Sequence, residues 1–391
     1  MTEILKPASE DQVLDAIRWA VAEERPLELA GRGSKRGFGR PVQAAHALDL
    51  SGLAGIEVYE PEELVLTARA GTKMAEIEAA LAERGQALAF EPADLGPLYG
   101  GPAGAGTLGG VVGCNLSGPR RIKAGAARDH VLGIEAVSGR GQAFKSGGRV
   151  VKNVTGYDLP KLLTGAFGTL AAMTRITVKV LPAPETVRTL VVAGLDDRAG
   201  VAVLTRALTS PYEVSGAAHL PAGMLGESAR SLIRIEGFGP SVDSRVAALS
   251  ALLGDAGPLA VLDPGESVDL WRGIRDAAPF VGDGRAVWRV SVAPNAGPQV
   301  AAAVGGAHYF DWGGGLVWIA MAPEGDAGAA AIRAAVAASG GGHATLVRAP
   351  AGLRAAVPVF EPQPPALEAL NRRVRDAFDP RGILSPGRMT A

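Results

Sequence analysis

The chain of 391 residues has a single cysteine, Cys114. One cysteine excludes a disulfide framework within the chain and any iron–sulfur or zinc site built from several of its own thiolates. A lone thiol also fits a reducing compartment. Any electron transfer through an iron–sulfur cluster would therefore need a second polypeptide.

Long apolar runs, a leader peptide and a strong net charge are also missing. No uncharged apolar run reaches the roughly 18 residues that a transmembrane helix needs. Residues 1–7 lack the basic and apolar regions of a signal peptide. The formal net charge of −1 favours neither nucleic acid nor an anionic membrane as a partner. We therefore expect a cytoplasmic protein, with peripheral contact at the inner face of the plasma membrane, through partners, left open.

Glycine, by contrast, is abundant, with 53 residues in the chain. Many of these glycines lie between short apolar strands in residues 107–174, where the absence of a Cβ lets the backbone approach a ligand closely. Small hydroxyl and amide side chains beside them can donate and accept short hydrogen bonds. This composition predicts a wall around a large planar cofactor with polar edges.

A second glycine-rich turn, residues 31–39, follows a predicted strand at Leu27–Ala30. The free N–H groups of such a turn can hold a diphosphate. The turn matches neither the Walker spacing nor the GxGxxG fingerprint. The alternative, a flexible surface loop with three basic residues, therefore remains open at this point.

The order of predicted elements divides the chain. Every lysine lies before residue 180, and only arginines follow, which supports a boundary near residue 182. Strands and helices mingle in residues 1–182, and residues 183–350 predict helices on an antiparallel sheet, so both parts are α+β. Residues 351–391 predict a helix at Pro365–Phe378 followed by a proline–glycine hook.

Four motifs follow one another along the chain: the turn at 31–39, TLGG at 107–110, KNVTGYD at 152–158 and DPRGILSPG at 379–387. Together they resemble the FAD-linked oxidases of the vanillyl-alcohol oxidase fold, and among them the FAD-binding E subunits of bacterial glycolate oxidase (glycolate dehydrogenase). The resemblance implies a vanillyl-alcohol oxidase-type (PCMH) FAD-binding domain of two α+β subdomains over residues 1–182. It also implies an α+β cap domain with an antiparallel sheet over 183–350, and a C-terminal hook, 351–391, that packs back on the FAD domain.

The resemblance further implies which residues bind FAD. The diphosphate would be held by backbone N–H groups of Gly31, Arg32, Gly33, Ser34 and Lys35. The diphosphate and flavin side would be lined by Thr107, Gly109, Gly110, Asn115, Ser117 and Gly118, and the ribityl–adenine portion by Gly125, Asp129 and Val131.

The mode of FAD attachment also follows from the resemblance. Some relatives attach the flavin to a histidine in the first glycine loop, where this chain has Ser34. We therefore expect non-covalent FAD. Cys114 does not stand where bicovalent relatives carry their cysteine, and we expect it to be a small buried hydrophobic side chain.

Catalytic residues are harder to find. Oxidation of a 2-hydroxy acid needs a base, a cation for the carboxylate and room beside the flavin. The catalytic subunits that this chain resembles carry an HxGDGNxH motif, often with a metal, and that motif is missing here. The sequence therefore assigns no catalytic residue and no metal site. The remaining candidates for a catalytic role are the histidines His46, His130, His219, His308 and His343. Arg234, Arg289 and Arg348 of the cap could meet a carboxylate, but they are more simply explained as solvated or ion-paired.

The resemblance thus favours an FAD-binding subunit of a glycolate oxidase complex that oxidises glycolate, with D-lactate as a second candidate substrate, to the 2-oxo acid. Its expected partners are a larger catalytic FAD subunit and an iron–sulfur subunit that passes electrons to the quinone pool. One alternative is a self-sufficient FAD oxidase or dehydrogenase of a small hydroxy acid or alcohol, with His130, Tyr309 or Glu91 as base. Another is a structural subunit that has lost FAD.

Overall fold

The computed structural model describes residues 3–149 and 156–390. The chain divides into two compact units. The first comprises the described parts of Met1–Ser117, Gly125–Ala183 and Pro362–Ala391, and the second comprises Gly118–Ala124 and Pro184–Glu361. This division lies one residue beyond the boundary expected after residue 182. The segment 351–391 is shared between the units instead of forming a third.

The first unit is built on three sheets. A five-stranded antiparallel sheet has the order β4-β5-β9-β7-β8, a three-stranded parallel sheet the order β1-β3-β2, and β6 pairs with β10. Its strands are β1 (Glu3–Leu5), β2 (Leu27–Ala30), β3 (His46–Asp49), β4 (Ile56–Glu60), β5 (Val65–Arg69), β6 (Gln86–Ala87), β7 (Val131–Ser138), β8 (Ala143–Gly147), β9 (Ala171–Lys179) and β10 (Leu181–Pro182). Its helices are α1 (Glu10–Ala22), α2 (Met74–Ala82), α3 (Leu108–Gly113), α5 (Ala127–His130), α6 (Leu159–Leu163) and α13 (Pro365–Phe378), while α4 (Arg121–Ala124) belongs to the second unit.

Helix α1 shows how local chemistry starts an element. The Ser9 hydroxyl accepts a hydrogen bond from the Gln12 backbone N–H at 3.3 Å, and the Gln12 side chain accepts one from the N–H of Ala8 at 2.7 Å. These bonds satisfy donors that the first helical turn leaves unpaired. Val13 and Ile17 are then buried against β2, β3 and β7 in one apolar cluster.

The C-terminal hook joins the same cluster. After α13, the Asp379 carboxylate accepts hydrogen bonds from the N–H groups of Ile383 at 3.0 Å and Leu384 at 2.7 Å. Leu27 donates its N–H to the Ile383 carbonyl and accepts the Ser385 N–H, each at 2.8 Å. The tail therefore runs beside β2, immediately before the turn at residues 31–39.

The second unit holds an eight-stranded antiparallel sheet with the order β14-β11-β13-β12-β16-β17-β15-β18. The strands are β11 (Thr186–Ala193), β12 (Gly216–Leu220), β13 (Arg230–Gly237), β14 (Leu259–Leu262), β15 (Ala286–Ser291), β16 (Ala307–Asp311), β17 (Leu316–Met321) and β18 (His343–Arg348). The helices are α7 (Asp197–Leu208), α8 (Gly239–Leu253), α9 (Pro264–Arg275), α10 (Gly297–Val304), α11 (Ala329–Ala338) and α12 (Ala351–Ala356).

Two apolar clusters lie under the helices of this sheet. One joins α7 and α8 to β11, β12 and β13, and the other joins α10 and α11 to β15, β16, β17 and β18. Helix α9 packs on the opposite face of the sheet. Its Trp271 indole donates to the hydroxyl of Thr189, and because successive residues of a strand point to opposite faces, Thr189 lies on the face opposite to the core residue Leu190. The predicted α+β fold is confirmed, with α9 on the second face as an addition.

Two further observations complete the fold. Residues 152–155 of the KNVTGYD segment lie outside the described residues. Within the ranges that the structure describes, no helix is both long and apolar enough to cross a bilayer.

Candidate functional site

The first unit contains a cavity beside the turn at residues 31–39. It encloses about 800 Å³, part of it open to solvent. Its polar side is formed by this turn and by α3, and its apolar side by the segment that enters β9. The lining residues are Leu29, Ala30, Gly31, Arg32, Gly33, Ser34, Lys35, Arg36, Phe38, Leu50, Ala70, Thr107, Gly109, Gly110, Gly113, Cys114, Phe167, Gly168, Ala171, Ala172, Met173 and Arg388.

The turn after β2 is compact, not a loose loop. Gly33 has φ +75°, a conformation that side chains with a Cβ adopt at a cost, and its carbonyl accepts the N–H of Arg36. Gly31 lies so close to Thr107 that a Cβ at this position would stand 2.6 Å from the Thr107 hydroxyl. The turn is therefore pressed against the start of α3, which brings the two glycine-rich segments together.

Helix α3 is fixed at its first turn. The Thr107 hydroxyl accepts a hydrogen bond from the Gly110 N–H at 3.2 Å, as an N-cap residue does. Gly109 donates its N–H to the Ala70 carbonyl at 2.7 Å, and a Cβ on Gly109 would meet Ala70 at 2.9 Å. Gly31 and Gly109 are thus required by close packing of the protein itself. Ligand approach is therefore not needed to explain glycine at these two positions.

Gly113 is different. It lies in the last turn of α3 and lines the cavity, yet the nearest atom to a Cβ built on it, Cε of Met173, is 3.8 Å away. Neither its backbone conformation nor protein packing requires glycine at this position. A Cβ there would occupy space in the cavity, which is the property expected where a ligand approaches the backbone.

Lys35 supplies the positive charge of the cavity. Its ammonium donates to the Ser34 hydroxyl at 3.1 Å and lies 3.2 Å from where a Cβ of Gly110 would be. Across the described ranges, no carboxylate forms an ion pair with it. Burial lowers the pKa of Lys35, and the nearby ionisable groups of Cys114 and Asp94 oppose this shift only in part. A half-buried cation without an anion is costly, so the cavity favours an anionic ligand at this point.

Two of the three arginines that line the cavity with Lys35 have carboxylate partners in the protein, and the third, Arg32, is exposed. Arg36 forms an ion pair with Glu28 at 2.8 Å, and Arg388 of the hook forms one with the same carboxylate group at 2.7 Å. Arg388 also donates to the carbonyl of Phe38 at 3.2 Å. These two side chains hold the turn to the hook, whereas Lys35 is left for a ligand.

The apolar side of the cavity is positioned by hydrogen bonds to the end of α3. Phe167 donates its N–H to the Gly113 carbonyl at 2.9 Å, and its ring meets that of Phe38 edge to face at 4.9 Å. Met173 and Ala172, at the start of β9, continue this surface. An aromatic and aliphatic wall opposite glycine backbone suits a planar ring system.

Cys114 lines the cavity and is half-buried, so it is less buried than expected. Burial of the thiol raises the pKa of Cys114 above its usual range, and the positive charges of Lys35 and Arg388 do not overcome this. The side chain is therefore a protonated thiol at neutral pH. Such a thiol is a weak nucleophile.

Of the fourteen residues predicted to bind the cofactor, eight line the cavity: Gly31, Arg32, Gly33, Ser34, Lys35, Thr107, Gly109 and Gly110. Arg32 among them is exposed. Residues 107–174 were predicted as a wall around the cofactor, which includes Gly113, Phe167 and Met173. These three were nevertheless not among the residues assigned to cofactor binding, although they line the cavity.

The other six predicted residues lie outside the cavity lining. Asn115 and Ser117 accept the backbone N–H groups of Arg128 at 3.1 Å and Ala127 at 2.9 Å. Asp129 accepts the N–H of Ala126 at 2.9 Å. These side chains satisfy the start of α5. The remaining three are Gly118, which belongs to the second unit, Gly125, which packs against Asp129, and Val131, which is buried in β7.

None of the five histidines, all of which are described, lines the cavity. His130 is buried with its ring 5.4 Å from that of Phe90. His219 and His308 share the carboxylate of Asp197, at 3.3 Å and 2.8 Å. Among the described residues no group of three or more His, Cys, Asp or Glu side chains is arranged to hold a metal ion.

Tyr309, one of the bases considered above, is fully buried in the second unit and donates its hydroxyl to the Ile274 carbonyl at 2.9 Å. Burial, then the charges of Asp311 and Asp276, raise the pKa of Tyr309 well above its usual value. This phenol stays protonated, so it is not a base at neutral pH.

Comparison with known proteins agrees with this site. Residues 2–147 match the family described as FAD binding domain. The glycolate oxidase subunit GlcE of Escherichia coli (strain K12) is 34% identical over 97% of this chain and 97% of its own length. The glycolate oxidase subunit GlcD of Bacillus subtilis (strain 168) is 29% identical, over 48% of this chain and 38% of its own length.

A solved structure shows the same fold. The crystal structure of p-cresol methylhydroxylase with substrate bound superposes with a TM-score of 0.73, at 14% identity, covering 99% of this chain and 88% of that one. The predicted fold and the predicted FAD cofactor are confirmed. The chain carries an FAD binding domain and belongs to the family of the glycolate oxidase subunit GlcE.

Proposed function

We propose that this chain is the FAD-binding subunit of a complex that oxidises glycolate, and D-lactate as a second substrate, to the 2-oxo acid, with the main catalytic groups on another subunit. The observation that carries the proposal is the cavity of the first unit, where a half-buried Lys35 without an ion pair, the open backbone at Gly113 and an apolar wall fit a dinucleotide that joins a charged diphosphate to a flat ring. Similarity to GlcE over nearly the whole chain supports the substrate.

The residues that would hold FAD follow from their chemistry. Lys35 and the backbone N–H groups of the turn at 31–35 would hold the diphosphate, because a cation and free amides both favour oxygen anions. Phe167, Met173 and Gly113 would border the flat, less polar part. When bound, FAD supplies an acceptor for hydride. Attachment is non-covalent in this proposal, because Ser34 and the protonated thiol of Cys114 are weak nucleophiles.

The cavity has no obvious base. Its described lining residues include no imidazole, carboxylate or phenol, so its ionisable groups are arginines, Lys35 and Cys114. A hydroxy acid must lose its hydroxyl proton during oxidation, and a histidine or carboxylate is the usual acceptor. His130 and Glu91 do not line the cavity, and Tyr309 is a buried donor. This composition supports a subunit whose substrate chemistry depends on a partner.

The partners in this proposal are a larger FAD-binding subunit of the GlcD kind and an iron–sulfur subunit that passes electrons to the quinone pool. GlcE and GlcD are both named as subunits of glycolate oxidase, which supports an assembly of several chains. The single cysteine of this chain supports a separate iron–sulfur polypeptide. The complex would lie in the cytoplasm, with peripheral membrane contact through partners.

The first test is the absorption spectrum of the purified chain with and without excess FAD, followed by glycolate in the absence of oxygen. We expect a bound-flavin spectrum that glycolate leaves unchanged until the catalytic partner is added. Bleaching by glycolate alone would instead establish a self-sufficient dehydrogenase. Failure to bind FAD even in excess would show that the subunit is structural.

A further inference from the structure

Two adjacent arginines in the second unit have opposite surroundings. The Arg120 guanidinium binds the Glu236 carboxylate through two hydrogen bonds, at 3.0 Å and 2.5 Å. Arg234, on β13, lies 3.5 Å from the same carboxylate and 4.6 Å above the ring of Trp271. Burial alone would raise the pKa of Glu236, but Arg234 and Arg120 hold it below its usual range. This cluster therefore contains its own anion.

The neighbouring residue, Arg121, contacts an aromatic ring. Its guanidinium lies 4.6 Å from the ring centre of Trp312, and the guanidinium of Arg289, on β15, lies 5.0 Å from the same centre. The ring is held in place because the Trp312 indole donates to the Gly118 carbonyl at 3.2 Å and its backbone N–H donates to Asp311 at 2.7 Å. Two cations thus share one aromatic platform.

Arg289 has no partner of its own in the described part of the chain, where its half-buried guanidinium makes neither a hydrogen bond nor an ion pair. Burial, then the charge of Arg121, lowers the pKa of Arg289 to about 10, although Asp311 and Tyr309 act in the opposite direction. The same two arginines, after burial, lower the pKa of His343 at the start of β18. Arg121 and Arg289 therefore act on each other as like charges.

Other arginines of this unit have a carboxylate beside them. Arg234 lies beside Glu236, and Arg348 contacts Asp283 and donates to the Phe280 carbonyl. Arg285 stacks on Phe280 and also forms an ion pair with Asp283 at 2.7 Å. Aromatic stacking therefore does not replace a carboxylate partner elsewhere in the unit.

We propose that Arg289, together with Arg121 and the Trp312 ring that both guanidinium groups contact, forms a binding site for a small carboxylate. A guanidinium offers a planar pair of donors that matches a carboxylate, and partial burial strengthens that pairing. The indole face gives the short carbon chain of such a ligand an apolar surface. The inference rests on the proposed function for its choice of glycolate, and it adds that this chain binds the hydroxy acid itself.

The test is calorimetric titration of glycolate into the full-length, flavin-loaded chain at constant ionic strength, with neutral glycolamide as the comparison ligand. We expect saturable heat with glycolate and none with glycolamide. Arg289→Gln should weaken glycolate binding at least about tenfold, the size expected for a lost charge-assisted hydrogen bond. Arg285→Gln is the matched control, because its arginine is also stacked but already paired, and it should bind as the parent chain does.

Thermal unfolding of each variant separates lost binding from lost folding. If Arg289→Gln is not folded, Arg289→Lys serves as the test variant, because it keeps the charge but loses the planar pair of donors. Its affinity for glycolate should be several-fold weaker than that of the parent chain. Equal glycolate affinity in the parent chain and in the folded Arg289 variant would overturn the site, as would equal heat from glycolamide. Flavin absorbance of the same samples reports on the proposed function separately.

Discussion

The cavity of the first unit and most of the helix-covered sheet of the second treat buried charge in opposite ways. In the second unit, Asp197 accepts from His308 at 2.8 Å and lies 3.3 Å from His219, and Glu236 accepts from Arg120, so these charges have protein partners and Arg289 is the exception. In the cavity, Lys35 has only the Ser34 hydroxyl. Compensated charges hold strands and helices together, whereas an uncompensated one indicates a ligand.

Replacement of Lys35, the cation without a carboxylate partner, should change FAD affinity more than any other substitution considered below. Lys35→Gln should weaken FAD binding about tenfold to a hundredfold, or about 1.4–2.7 kcal/mol, because a partly buried cation facing a diphosphate is lost. The FAD-free chain should become more stable, because an unpaired buried charge is removed. Fluorescence titration with FAD and thermal unfolding of the apoprotein measure the two changes.

Arg36→Gln is the control for Lys35, since Arg36 lies in the same turn but pairs with Glu28. It should change FAD affinity by less than about threefold, as expected for an exposed ion pair. If both variants lose affinity equally, the cavity responds to total charge, and the distinction between paired and unpaired cations fails.

Two glycines of α3 provide a second comparison. Gly109→Ala should lower the free energy of unfolding by about 2 kcal/mol, because its Cβ would meet the Ala70 backbone at 2.9 Å. Gly113→Ala should leave that free energy unchanged or raise it by up to about 1 kcal/mol, as alanine favours a helix, while FAD affinity falls. Urea unfolding and FAD titration of both variants test this. Unchanged FAD affinity in Gly113→Ala would contradict our assignment of Gly113 as a position where FAD approaches the backbone.

The Asp197 cluster should make the second unit sensitive to pH. Burial alone would lower the pKa of His308, but hydrogen bonds to Asp197 and to the Gly306 carbonyl raise it above 6.5. The stabilisation that this histidine contributes is therefore fully present below about pH 6.5 and is lost as pH rises through the raised value. His308→Gln should cost about 1 kcal/mol near pH 5.5 and progressively less above pH 7.

At low pH, protonation of Asp197 limits the stabilisation that the pair of Asp197 and His308 provides. Burial alone would raise its pKa, but the nearby imidazole of His219 and the hydrogen bond from His308 hold the pKa of Asp197 far below the usual 3.8. Its contribution is thus present above about pH 3.8 and is lost as pH falls through the lower value. Urea unfolding of the parent chain and His308→Gln at several pH values measures the difference. A difference that grows from pH 5.5 to pH 8 would refute this sign.

Cys114 should give the smallest effect. Cys114→Ser should leave FAD affinity within about twofold, because the thiol is protonated and carries no charge to the ligand. Acid precipitation should release FAD into the supernatant from both the parent chain and the variant. Flavin that stays with the precipitated parent chain, but not with Cys114→Ser, would mean covalent attachment to this cysteine.

Local signals account for much of the fold. The helix predicted at Pro365–Phe378 has these same bounds in the structure, and α1 begins at the Ser9–Gln12 pair, because caps and apolar periodicity act over a few residues. Residues 254–285 carried no prediction, yet they form β14 and α9. Helix α9 is held by Trp271 and by the Tyr309 hydroxyl, contacts distant in sequence that no local pattern contains.

The candidate site divides in the same way. The glycine turn and TLGG could be identified along the chain, since glycine spacing and small polar side chains are local features. Which glycine serves packing and which serves a ligand depends on Ala70 and Met173. Whether Arg388 is free depends on Glu28, which lies 360 residues away in the chain. Sequence chemistry therefore determined the cofactor class and the segments that meet it. Only the tertiary structure decided that Lys35 and Arg289 lack partners, because charge compensation depends on distances between residues far apart in the chain.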